Sequence, residues 1–254
     1  MRRTLLLLAT MALTLLMASG VALAITKIGG SGPDFLKGTN GADNLLGRGG
    51  NDALLSLRGR DNLLGEEGKD WLLGGNEQRI VGGDKNMVGG PGNDGVLGGY
   101  GSDTLLGGSG NDDLFGDKGS DSVVGGEGRD LIGGHYGSDR MLGEGGGDWI
   151  DDDPIGESSK DDVLSGGAGD DIILADHVPA VKDIVSCGGG FDRVMADRKD
   201  VVADDCEKVL VVHGSKAEVL EQEDAFFESL PPGVFEFFEE ATFEDEQLAP
   251  FPNI

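Results

Sequence analysis

The apolar residues of this chain recur with a period of nine. Leu45, Leu54, Leu63 and Leu72 form one series, and Val96, Leu105, Leu114, Val123, Ile132, Met141 and Ile150 form a second. Two residues before each of them stands an aspartate: Asp43, Asp52, Asp61 and Asp70, then Asp94, Asp103, Asp112, Asp121, Asp130, Asp139 and Asp148. Two residues before each aspartate stands a glycine, and five before it a glycine again in ten of the eleven units, with Ser56 the exception. The unit is therefore G-x-x-G-x-D-x-U-x with U apolar, and a fixed period of this kind takes precedence over local propensity. Its x-U-x piece predicts a very short strand whose middle side chain points to one face. Such a strand cannot bury a face alone. Stacked on copies of itself it can, with two units making one coil of a flattened parallel β-helix and the U side chains filling the interior.

Departures from the period divide the chain. Asp70 and Asp94 are 24 residues apart, and Arg79 stands where the next aspartate would fall. Residues 74–88 thus read as degenerate turns or a bend between a first block, 25–73, and a second, 89–151. The register slips at Asp151-Asp152-Asp153-Pro154, since proline does not continue a strand. It resumes with Asp162 before Leu164, Asp171 before Ile173, Asp183 before Val185 and Asp192 before Val194, so 152–212 reads as degenerate repeats with an end module. From residue 213 the composition changes: seven of the ten Phe lie there, and 217–254 hold eleven acidic residues and no basic one. That predicts a disordered or partly helical acidic tail, with 216–230 as an amphipathic helix and its Phe residues as anchors for a protein or cell-surface partner.

Charge sharpens the picture. Against 47 acidic residues stand 20 basic ones, a formal net charge of -27. A nucleic-acid binder needs a basic footprint and an anionic lipid surface attracts one, so the first is excluded as a partner and the second disfavoured. Residues 1–24 have a basic start at Arg2 and Arg3, an apolar run from Leu5 to Met17 and the small-x-small site Ala22-Leu23-Ala24, which predicts a secretory signal cut after Ala24. No later apolar run approaches the roughly 20 residues of a membrane span. The expected location is secreted and extracellular, where Cys187 and Cys206 can form a disulfide. Rows of carboxylates repel one another unless a hard, oxygen-seeking cation such as calcium lies between them.

The unit, as in Gly98-Gly99-Tyr100-Gly101-Ser102-Asp103-Thr104-Leu105-Leu106, resembles the hemolysin-type, or RTX, calcium-binding repeat. The resemblance implies an all-β, right-handed parallel β-roll holding several Ca2+ ions between coils, through backbone carbonyls and aspartates from units two apart. It assigns as ligands the eleven aspartates of the comb together with Asp171, pairing Asp43 with Asp61, Asp52 with Asp70, Asp94 with Asp112, Asp103 with Asp121, Asp112 with Asp130, Asp121 with Asp139 and Asp130 with Asp148. Arg48, Arg58, Arg60, Lys69 and Arg129 stand near these rows as candidate partial substitutes for the ion. The stretch from Asp183 to Val209 resembles the Cys-containing end module of exported actinobacterial RTX-repeat proteins, which implies a Cys187–Cys206 disulfide capping the stack. A metal site of the two Cys with His213 is the alternative.

Signs of catalysis are thin. His135, His177 and His213 sit in no nucleophile elbow, zinc-ligand pair or phosphate loop, so the chain reads as no enzyme. The expected function is that of a secreted calcium-binding β-roll that folds on calcium and has a structural or adhesive role. The competing reading is a β-helical carbohydrate-binding or polysaccharide-modifying module, with the outward-facing Trp71 and Trp149 stacking on sugar rings.

Overall fold

The computed structural model describes residues 24–75, 85–152, 160–176, 180–212, 222 and 225–230. The first coils are built from β1 (Thr26–Ile28), β2 (Phe35–Lys37), β3 (Asn44–Gly49), β4 (Ala53–Leu55), β5 (Asn62–Glu67) and β6 (Trp71–Leu73). The middle coils follow with β7 (Asn86–Pro91), β8 (Gly95–Tyr100), β9 (Thr104–Ser109), β10 (Asp113–Lys118), β11 (Ser122–Glu127), β12 (Leu131–Tyr136), β13 (Arg140–Gly145) and β14 (Trp149–Asp151). The stack ends with β15 (Val163–Ala168), β16 (Ile172–Ala175), β17 (Ile184–Gly189), β18 (Arg193–Asp197), β19 (Val201–Val202) and β20 (Lys208–Val212).

Odd strands form one ten-stranded sheet in sequence order and even strands form the other. Every pairing is parallel, so the chain is an all-β parallel β-roll, as the nine-residue period predicts. The two U side chains of each coil point inward and meet between the sheets. Leu45, Leu54, Leu63, Leu72, Leu105, Leu114, Ile132 and Met141 are all fully buried there. Burying one such side chain is worth roughly 1.5–3 kcal/mol, so the stack gains stability coil by coil from a core one residue deep.

The two long edges of the roll differ. From β3 onward to β18, each connection from the odd sheet to the even sheet is three residues long, as at Gly110-Asn111-Asp112. The return connections vary, and the three longest of them, β6 to β7, β14 to β15 and β16 to β17, all lie on the same edge. Strand register is kept across each one: Asn62 pairs with Asn86, Arg140 with Val163 and Val163 with Ile184. The degenerate stretch between the two blocks is therefore no break in the sheets, because β7 pairs with both β5 and β9. Met87 takes the buried U position there.

Beyond β20, Ala225–Glu228 form a helical turn that lies on the outer face of the even sheet. Phe226 and Leu230 bury against Ile172, Leu174, Met195 and Val212, and the Phe227 ring stacks on Trp149 with centroids 5.7 Å apart. Two of the tail's phenylalanines thus pack on the roll itself. The predicted signal, residues 1–23, and the acidic piece 231–254 lie outside the described residues. Among the described residues no helix is long and apolar enough to cross a membrane.

Candidate metal centres

Each aspartate of the comb closes the turn that leads into a strand. All twelve predicted ligands, from Asp43 to Asp171, are buried, none more than 3% exposed. They line the two edges as two ladders. The first holds Asp43, Asp61, Asp103, Asp121 and Asp139, and the second holds Asp52, Asp70, Asp94, Asp112, Asp130, Asp148 and Asp171.

The ladders are joined by one repeated hydrogen bond. The backbone N–H of each ladder aspartate but Asp61 donates to Oδ1 of the aspartate one coil further on, as from Asp94 to Asp112 at 2.8 Å, Asp103 to Asp121 at 2.7 Å and Asp112 to Asp130 at 2.9 Å. All seven expected pairs are brought together in this way. The ladder also joins Asp70 to Asp94 across 24 residues and Asp148 to Asp171 across 23, steps that a fixed count of 18 does not anticipate.

The second carboxylate oxygen is what makes the sites reactive toward a cation. Oδ2 of Asp52, Asp70, Asp94, Asp112, Asp121, Asp130, Asp139, Asp148 and Asp171 is buried without a hydrogen-bond partner. A buried anionic oxygen left unmatched is costly, and its natural partner is a positive charge. Each Oδ2 points at the glycine five residues earlier. A Cβ at Gly107 would lie against Asp112 Oδ2 and 2.6 Å from the Gly125 carbonyl oxygen, and Gly89 meets Asp94 Oδ2 and the Gly107 carbonyl oxygen in the same way. The glycine thus keeps open a small cradle where a carboxylate oxygen and a carbonyl oxygen from adjacent coils converge. Hard oxygen donors of this kind suit calcium, so the residues present fit the ion.

Electrostatics agrees. Burial pushes the carboxyls of Asp112 and Asp121 up to about 8, with neighbouring carboxylates adding to the rise and the backbone N–H opposing it. Asp94, Asp148 and Asp171 are lifted to about 7, and Asp70 and Asp130 to about 6, burial being the main cause in each. Coils about 4.8 Å apart place like charges close enough to repel by roughly 3 kcal/mol per pair at an effective dielectric of about 20. That is as large as what a single core residue per rung contributes. An ionised ladder therefore needs cations, and an ion-free ladder needs protons.

Several members of the ladders lie outside the predicted set of ligands. Asp139 is followed by Asp162 and then Asp183, Asp183 by Asp200, and Asp171 by Asp192. Each of Asp162, Asp183 and Asp192 stands two residues before an inward apolar side chain, which is the signal that identifies it where the count of nine fails. Asp152, which the sequence marks only as part of a turn, has its carboxylate with those of Asp162 and Asp183 in one buried group whose ligand atoms are within 4.8 Å of one another. In the first ladder the place between Asp61 and Asp103 belongs to Lys85, whose N–H donates to Asp103 Oδ1 at 2.8 Å. Arg79, the residue that the count of nine puts in that slot, lies outside the described residues.

At the end of the stack Cys187 and Cys206 form a disulfide with Cα atoms 5.1 Å apart. Both sulfurs are thereby withdrawn from metal ligation, which removes the alternative site with His213. His135 is the one histidine among the described residues. It stacks on Phe115 on the outer face of the even sheet, with Nδ1 3.4 Å from Asp117 Oδ1.

A search of curated proteins returns no match. A family model, the RTX calcium-binding nonapeptide repeat in four copies, matches residues 28–63, 54–78, 88–123, 115–150 and 158–176. These segments span more than half of the chain and contain all twelve predicted aspartates together with most of both ladders. With the parallel coils and the cation cradles at their edges, they place the chain in the RTX calcium-binding nonapeptide-repeat family.

Proposed function

We propose that this protein is exported, takes up several calcium ions along both ladders, completes its folding as it does so, and then serves as a structural or adhesive β-roll. The proposed ligands are Asp43, Asp52, Asp61, Asp70, Asp94, Asp103, Asp112, Asp121, Asp130, Asp139, Asp148 and Asp171, joined by carbonyl oxygens of the glycine-rich turns. The observation that supports this most is the row of buried Oδ2 atoms facing glycine cradles, most of them with a carbonyl of the next coil beside them. Calcium accepts six to eight oxygens in flexible geometry, whereas magnesium demands a tight octahedron and retains its water, so magnesium should substitute poorly. The acidic, Phe-rich tail, 213–254, is the proposed anchor for a protein or cell-surface partner.

Circular dichroism of residues 25–254, titrated with calcium chloride after removal of metal, tests the proposal. The expected result is a cooperative gain of sheet signal and of melting temperature, shifted to higher calcium in an Asp112→Ala, Asp121→Ala variant. Spectra and melting that ignore calcium would end it.

A further inference from the structure

The repeat breaks its own pattern twice in the first ladder. Ser56 is the only residue of the comb to replace the glycine five before an aspartate, and Lys85 stands in an aspartate slot. Far apart in sequence, the two lie on adjacent coils of one edge. The Ser56 hydroxyl, fully buried, donates to the Gly74 carbonyl at 2.9 Å. A Cβ at Gly74 would in turn lie 2.9 Å from Lys85 Cδ, as glycines of other rungs lie against aspartate Oδ2.

The backbone of Lys85 behaves as an aspartate's would. Its N–H donates to Asp103 Oδ1 at 2.8 Å, and its carbonyl accepts from Thr104 N–H at 2.9 Å. Only the side chain differs. It is 5% exposed, and its ammonium Nζ donates to the Tyr100 carbonyl at 3.2 Å and lies 4.0 Å from Asp103 Oδ1. A buried ammonium persists only where its charge and its hydrogens are matched. Here the matching groups are a carboxylate and a carbonyl on neighbouring coils, the same kinds of oxygen that line the cation cradles at other rungs.

We propose that Lys85, with the Ser56 hydroxyl beside it, is a tethered cation that replaces a bound calcium ion, so that the first ladder has a metal-free rung between Asp61 and Asp103. This inference rests on the calcium reading of the other rungs. It makes the junction of β5, β7 and β9 the part of the roll whose cohesion does not depend on calcium supply.

Equilibrium dialysis against saturating calcium chloride counts the ions bound per chain, and melting in excess chelator measures cohesion without them. A Ser56→Gly, Lys85→Asp double variant should bind at least one ion more than the unaltered chain and melt lower in chelator. Lys85→Met should bind the same number as the unaltered chain, yet melt lower in chelator than the exposed control Lys37→Met. An unchanged ion count in the double variant, failure of that variant to fold at saturating calcium, or a Lys85→Met chain that melts like the control would each overturn the inference. If the unaltered chain binds no calcium, the parent reading fails by itself, and the chelator comparison still reports whether Lys85 holds the rung.

Discussion

Two glycines of the repeat answer to different constraints. The one two residues before the aspartate has positive φ in most units, 129° at Gly110 and 137° at Gly128, where an L side chain is strained. The one five before has no such dihedral and is required because a Cβ would displace the carboxylate and carbonyl it separates. A third position, five after the aspartate slot, also has positive φ, but there the chain tolerates Arg48, Leu57, Glu66, Asp117, His135 and Glu144. A left-handed conformation costs a non-glycine residue roughly 1–2 kcal/mol. Glu66, at φ 71°, is exposed and lies beside Gly90 of the next coil, so removing its side chain relieves strain and gives up little burial. Glu66→Gly is expected to raise unfolding stability by about 1 kcal/mol in urea; a fall would show that the glutamate side chain stabilises the turn by more than its strain costs.

At the scale of the strand and its turn, what can be read from sequence is what a single nine-residue unit contains. The inward apolar residue, the aspartate and both glycines are legible because each is imposed by one unit's own geometry. Lys85 and Met87 are not, because a step of 24 residues shifts them out of the count while the sheet restores their register. The docked turn at Phe226 is also hidden, although its receiving surface leaves a trace: Ile172, Ile173 and Leu174 are apolar in succession, which a strand with one wet face does not need. The disulfide acts at this scale too. Its 19-residue loop contributes on the order of 3 kcal/mol by chain entropy, and it ties β17 to the segment leading into β20. Because coils of a solenoid touch only their neighbours, reduction should raise hydrogen exchange in β17 to β20 and leave β9 to β13 as protected as before. Uniform loosening of all strands would mean the stack unfolds as one unit.

For the molecule as a whole the ladders set the response to pH. Asp70, Asp94, Asp112, Asp121, Asp130, Asp148 and Asp171 are raised in the folded chain, to between about 6 and about 8, from an ordinary value of 3.8. The folded, ion-free state therefore holds protons that the unfolded chain releases. Their contribution to stability is complete below about pH 4 and is lost as pH rises through the folded values. The metal-free protein should thus retain its sheet signal near pH 5, lose it toward pH 8, and regain it at pH 8 when calcium is added. Circular dichroism across that range decides it, and greater stability of the ion-free chain at pH 8 than at pH 5 would contradict the burial of the ladders.

The asymmetry between the two edges bears on how such a molecule can change over time. On one edge the three-residue connections leave no slack, so an added residue there would push an aspartate out of its rung. On the other, connections of eleven and twelve residues already bridge rungs without moving the strands they join. New sequence can accumulate along that one side, coil after coil, while the opposite side stays uniform. The roll is in effect a ruler with one blank margin, and foreign peptides grafted into β6 to β7 or β14 to β15 would be displayed in a line at intervals set by the coil height.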